Sequence, residues 1–116
     1  MNNMLKVIIE SPYAGKTEKN IRYARLCVKD SILRGEAPLA SHLLYTQEGI
    51  LNDESPTERA IGILLGLEWL SCADAQVFYV DYGMSKGMKE AEAMGEKNGI
   101  ERVYRKIFTS SKNKVE

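Results

Sequence analysis

Four short apolar runs alternate with three segments whose apolar residues repeat at helical spacing, and this alternation constrains the fold more than any other feature of the chain. Leu5-Lys6-Val7-Ile8-Ile9 is brief, β-branched and stopped by Ser11-Pro12, which fits a buried parallel strand better than a helix. Over residues 17–34, Ile21, Ala24, Val28 and Ile32 mark one face and Glu18, Lys19, Arg22, Lys29 and Asp30 the wetter one. An amphipathic helix ending at Gly35 is predicted there. Residues 37–45 form a second extended segment, which Pro38 confines to a strand start or a sheet edge. Residues 47–54 are polar, contain glycine and show no period, so they read as a loop long enough to act as a flap.

Ser55-Pro56-Thr57-Glu58 then opens a second helix, with Ser55 as N-cap, Pro56 at the first helical position and Glu58 reaching back as a capping box. Through Ile61, Leu64, Leu65, Leu67 and Leu70 this helix is apolar around most of its circumference. It is therefore expected to be buried or packed against a second copy, with Gly62 and Gly66 allowing close approach. Residues 75–80 form the third strand, residues 85–97 the third helix, closed by Asn98-Gly99, and residues 102–104 a last strand.

The resulting β-α-β-α-β-α-β order predicts an α/β domain: a doubly wound, Rossmann-like or flavodoxin-like parallel sheet of four to five strands with helices on both faces. The domain is expected over residues 1–108, followed by a polar tail over 109–116. A strand order of 2-1-3-4 places the topological switch between the first and third strands, and ligands bind beyond the carboxyl ends of strands at such a point. That geometry selects two loops, residues 10–15 and residues 81–87.

Charge narrows the partners. Sixteen basic and sixteen acidic residues cancel, so no global field would draw the chain to bulk nucleic acid or an anionic membrane. The opening Met1-Asn2-Asn3-Met4 lacks a basic leader, and no apolar run approaches the ~20 residues of a membrane span. A cytoplasmic protein is the expectation. Cys27 and Cys72 stand far apart without metal-ligand spacing, so both are expected as buried thiols, with neither a metal nor a cofactor.

In the first selected loop, Ala14-Gly15-Lys16-Thr17 has the form of the end of a phosphate-binding loop, but the glycine required five residues before the Gly-Lys pair is Glu10, and Pro12 removes a further amide. A turn and helix start is the better reading. Ser11, Tyr13, Ala14 and Gly15 remain candidates to present a hydroxyl, a ring and free amides to a small ligand. In the second loop Ser85 can cap the third helix, while the amides around Lys86, Gly87 and Met88, with the lysine charge, favour a phosphate or carboxylate. Asp81 can either hold a ribose hydroxyl or accept hydrogen bonds within its turn. His42, the only histidine, is placed near the carboxyl end of the second extended segment and is either a ligand contact or a structural residue.

Ser11-Pro12-Tyr13-Ala14-Gly15, Asn20-Ile21 with Ala24, residues 38–44, Glu58-Arg59, Cys72-Ala73-Asp74 and Ser85-Lys86-Gly87-Met88 together resemble the nucleoside 2-deoxyribosyltransferase-like superfamily. The likeness runs to about Phe108 and is nearest to a small branch found in phages and bacteria. Enzymes of that superfamily cleave or exchange the N-glycosidic bond of deoxynucleosides or their monophosphates, and relatives bind nucleotides without that reaction. The resemblance implies a base and sugar across the switch-point crevice, with Ser85 and Gly87 on the phosphate or sugar. It also implies a nucleophilic glutamate four residues after Gly87 and a second acid three residues before Trp69. These positions are Ala91 and Gly66. Glu90 and Glu92 flank the first, each turned by about 100° around the helix axis.

Three functions follow. The first is a nucleoside- or nucleotide-binding protein with degenerate catalysis, whose role, by analogy, is a phage protein sequestering a nucleotide or ADP-ribose-like defence signal. The second is an active N-glycoside hydrolase or transferase using Glu92 or Glu90. The third is a homo-oligomeric interaction domain built on the apolar second helix, without a ligand.

Overall fold

The computed structural model describes residues 4–15 and 17–108. The Met1-Asn2-Asn3 opening, Lys16 of the Gly-Lys-Thr sequence and the tail over 109–116 lie outside the described residues. Strand β1 (Lys6–Glu10) leads through helix α1 (Thr17–Leu33) to β2 (Ala37–Leu39), then through α2 (Ser41–Leu44) and α3 (Pro56–Leu70) to β3 (Ala75–Tyr79). Helix α4 (Lys86–Lys97) and β4 (Glu101–Arg105) complete the order. The strands form one sheet in the order β2-β1-β3-β4, and all three pairings are parallel. This is the doubly wound α/β architecture expected from the alternation of strands and helices, with four strands.

Pleating divides the sheet between two tasks. Side chains alternate faces along a strand, so Val7 and Ile9 of β1 and Val77 and Tyr79 of β3 join Tyr23 and Cys27 of α1 in the buried core. Ile8, Glu10 and Gln76 turn instead toward α3 and α4 and line a cavity. The β1–β3 register sets Ile8 beside Gln76 and Glu10 beside Phe78, which brings the polar members of that face together.

Helix α1 has the expected length but a rotated face. Its buried residues are Asn20, Tyr23, Ala24, Cys27 and Ser31, while Ile32 is exposed. Polar anchoring turns the helix: the Tyr23 hydroxyl bonds to Asp81, and the Ser31 hydroxyl donates to Glu36 at 2.7 Å. Both residues are therefore buried by hydrogen bonds that no hydrophobic pattern contains.

The second extended segment is a correction. As an edge strand, β2 pairs only with β1 and ends at Leu39. The Ala40 carbonyl then accepts from the amides of Leu43 and Leu44, and the chain closes into the single turn α2. His42 consequently sits on a helical turn rather than at a strand end.

Ser55 caps α3 as expected, its hydroxyl accepting from the Glu58 amide. The Glu58 carboxylate does not complete a capping box; it accepts from the Asn52 amide at 2.7 Å and so ties the preceding loop to the helix. Of the α3 side chains only Leu70 is buried within this chain, and Leu64 is 63% exposed. Cys27 is buried, whereas Cys72 lies exposed in the turn after α3. Among the described residues no helix is long and apolar enough to cross a membrane.

Gly95 on α4 lies against the side chain of Gln76. A Cβ at Gly95 would stand 1.9 Å from Gln76 Oε1, and Gln76 is only 1% exposed, so it has nowhere to retreat. Gly95→Ala should therefore destabilise the protein by about 1–3 kcal/mol through overpacking, despite the roughly 1 kcal/mol by which alanine favours a helix. Urea unfolding of the variant measures this, and unchanged or raised stability would refute the packing.

Candidate functional site

A cavity of about 860 Å³ opens between the carboxyl ends of β1 and β3, a size that suits a small organic ligand. Ile8, Glu10 and Gln76 form its floor, the loop after β1 gives Ser11, Tyr13 and Ala14, and α2 gives Ser41 and His42. Helix α3 supplies the opposite wall, including Arg59, Gly62 and Gly66, and the start of α4 supplies Ser85, Lys86, Gly87 and Met88. The two loops selected by the strand order thus meet at one crevice.

Local hydrogen bonds set this geometry. The Asn20 side-chain amide donates to the carbonyls of Tyr13 and Ala14, at 2.9 and 3.1 Å, and so pins the β1 loop to α1. At the start of α4 the Ser85 hydroxyl accepts from the Met88 amide at 3.2 Å. The amides of Lys86 and Gly87, in the first turn of that helix, have no acceptor within it, so this rim can receive a negatively polarised group.

Glu10 is the residue that sequence reasoning missed. It ends β1 after the apolar Val7-Ile8-Ile9, and the sequence marks it as the first residue of the selected loop and as the place where a phosphate-binding loop lacks its glycine, not as a ligand contact. Here its Oε2 accepts from Gln76 Nε2 at 3.0 Å, and the same Nε2 donates to the Ala91 carbonyl at 2.9 Å. Burial outweighs this hydrogen bond and raises the Glu10 pKa to about 7. Gln76 was likewise unmarked, although a glutamine inside the run Ala75-Gln76-Val77-Phe78-Tyr79 was the available signal.

His42 lines the same cavity, with Nε2 2.8 Å from the Ser11 hydroxyl oxygen and Nδ1 buried without a partner among the described residues. Burial lowers its pKa to about 4, so the ring is neutral at physiological pH. The floor and near wall therefore offer a carboxyl group, an amide, a hydroxyl and a neutral imidazole.

Other expected site residues are placed elsewhere. The Asp81 carboxylate is occupied by the Tyr23 hydroxyl and the amides of Ile107 and Phe108, and it fastens the end of β4 rather than lining the cavity. Gly15 takes a positive φ of 94° in the turn before α1 and also lies off the cavity lining. Glu92 accepts from the Tyr104 hydroxyl on the β4 side of α4 and is likewise not among the lining residues. Glu90 does line the cavity, but it is half exposed and faces Arg59 at 3.8 Å, while Arg59 also meets Asp53 at 3.5 Å. Ala91 and Gly66 both line the cavity, so the two positions where the resemblance implies acids carry no carboxylate. No cluster of three potential metal-ligating side chains occurs among the described residues.

A family model described as a domain of unknown function (DUF7768) matches residues 5–105. The chain belongs to the DUF7768 family. No curated protein sequence matches it. Among solved structures, the DUF7768 chain is similar to a 2-deoxyribosyltransferase from the psychrotolerant bacterium Bacillus psychrosaccharolyticus, with a TM-score of 0.59 and 16% sequence identity. The match covers 87% of this chain and 72% of that one, and it establishes a shared fold.

The Glu10 environment carries a stability consequence with a definite sign. A carboxyl whose folded pKa is raised from 4.5 to about 7 holds its proton more tightly when folded. Its contribution to stability is thus full below about pH 4.5 and is lost as the pH rises through 7. Glu10→Gln removes the ionisation, so the variant should match the parent near pH 4 and exceed it by about 3 kcal/mol at pH 8. The His42 contribution is common to both proteins and cancels. Urea unfolding at the two pH values checks this, and an equal difference at both would show that Glu10 is not held in its neutral form.

Proposed function

We propose that this protein binds a nucleoside or nucleotide in the crevice beyond the carboxyl ends of β1 and β3. The observation that carries the reading is the meeting of two unlike surfaces in one cavity: a polar floor at Glu10, Gln76, Ser11 and His42, where burial disfavours charge, and a rim at Lys86 and Gly87 with a helix start and a lysine charge. An uncharged heterocycle suits the floor, and a sugar hydroxyl or phosphate suits the rim. The 2-deroxyribosyltransferase-like fold supports the same assignment.

Binding without transfer chemistry is the preferred form of this reading. Ala91 and Gly66 offer no nucleophile, Glu92 faces Tyr104, and Glu90 is engaged with Arg59. A phage origin and a role in capturing a defence signal such as an ADP-ribose derivative rest on the resemblance alone. A thermal-shift panel of deoxynucleosides, their monophosphates and ADP-ribose tests binding. A ligand at a hundred times its Kd should stabilise the protein by about 2.7 kcal/mol, several degrees in Tm. No shift with any member would refute the reading, and release of free base from a deoxynucleoside would replace binding by catalysis.

The outer face of α3 supports a second copy of the chain as a further partner. Ile61, Leu64 and Leu65 are exposed there on one side of a helix whose opposite side lines the cavity. The protein should behave as a dimer or larger assembly in light scattering, and Leu64→Glu should shift it to the monomer mass. A parent protein that is monomeric at high concentration would remove this interface.

A further inference from the structure

Within the nucleoside-binding reading, which this inference deepens and on which it rests, we propose that Glu10 engages its ligand as a neutral carboxylic acid. Its Oε1 proton is donated to a ring nitrogen or carbonyl of an uncharged heterocycle lying on the cavity floor.

Gln76 sets the orientation of the carboxyl. Its Nε2 donates to Glu10 Oε2 and to the Ala91 carbonyl. A flipped amide would set its oxygen against both of these acceptors, so the orientation is fixed by its partners. Its Oε1 packs against Gly95 without a hydrogen-bond partner among the described residues, which holds the side chain in place from behind. Glu10 Oε2 is thereby kept as an acceptor, and Oε1, which has no hydrogen bond among the described residues, is left to carry the proton. A carboxylic acid held this way shows a donor beside an acceptor, the pattern that complements the edges of purines and pyrimidines.

The surroundings favour the protonated form. Burial holds the Glu10 pKa at about 7. From α2, His42 remains neutral above about pH 4 and so supplies no cation at physiological pH. On α3, Glu58 is bound to the Asn52 amide, and Arg59 is shared between Asp53 of the preceding loop and Glu90 of α4. Lys86 stands at the α4 rim. Tyr13 and Tyr45 complete the ionisable groups of the lining, and the Tyr45 hydroxyl accepts from Trp69. No salt bridge reaches Glu10 among the described residues. A docked heterocycle removes further water from the carboxyl and deepens its preference for the neutral form.

Calorimetric titration of the intact protein with 2′-deoxyadenosine and 2′-deoxycytidine between pH 6 and pH 9 provides the test, because neither nucleoside titrates in that range. The parent affinity should be nearly constant up to about pH 7 and then fall by about tenfold per pH unit. Glu10→Gln supplies a permanent neutral donor and should bind with an affinity that does not change with pH. Glu10→Ala should bind weakly throughout. Parent affinity equal at pH 6 and pH 9 overturns the role of Glu10 while leaving nucleoside binding intact, and so does a pH dependence that persists in Glu10→Gln. Absence of binding by either nucleoside at every pH overturns the inference, and the wider thermal-shift panel then decides whether the binding reading falls with it. The parent profile requires no substitution, so the test does not depend on a variant folding.

Discussion

The parallel register of β1 against β3 is the constraint on which the rest of this structure depends. It pairs Ile8 with Gln76 and Ile9 with Val77, so the two central strands present matched faces. One face is apolar apart from the Tyr79 hydroxyl and closes against α1; the other carries Glu10 and Gln76 and stays open toward α3 and α4. A slip of one residue would exchange these faces, sending the Glu10 carboxyl into the core and Val7 into the cavity if β1 moved, or the Gln76 amide and Val77 if β3 did. The register is therefore held by burial energetics as much as by backbone hydrogen bonds.

From that register follows a chain of close contacts that couples the sheet to α4. Gln76 can reach both Glu10 and the Ala91 carbonyl only because Gly95, one turn further along the helix, leaves room for its amide. Its oxygen remains buried without a partner among the described residues, a cost of about 1–3 kcal/mol for an unsatisfied polar group. Two hydrogen bonds from the amide nitrogen offset part of that cost. A small apolar residue at position 76 would avoid it, so what the glutamine adds is the fixed presentation of the Glu10 carboxyl.

Much of this was legible in the residues, and what was not has identifiable causes. A helical period announced α1, though not the face it buries, the Ser55-Pro56 start announced α3, the Asn98-Gly99 stop marked the end of α4, and the apolar runs announced the strands. The single turn α2 carries too few residues to show a period, and Pro38 with Leu39 reads as extended up to the point where the Ala40 carbonyl captures two amides. Asp81 invited a ligand role by its position after a strand; its actual partners, Tyr23 and the amides of Ile107 and Phe108, are distant in sequence. Glu10 was hidden for a different reason. A polar residue at a strand end is ordinary, and only the register with β3 and the approach of Gln76 show that this carboxyl is enclosed.

The two ends of the cavity differ in how they can treat charge, and that difference gives a ligand its direction. At the α4 rim, the amides of Lys86 and Gly87 and the lysine ammonium favour a negative group. At the floor, the same burial that disfavours the charged forms of Glu10 and His42 would penalise any charge brought against them. Reversing the ligand would place a phosphate against the floor, where desolvation is least compensated, and leave the rim cation facing a neutral ring. An amphiphilic molecule with an anionic or hydroxylated end and an uncharged planar end is thus oriented by desolvation at the floor and attraction at the rim, before any base-specific hydrogen bond is made.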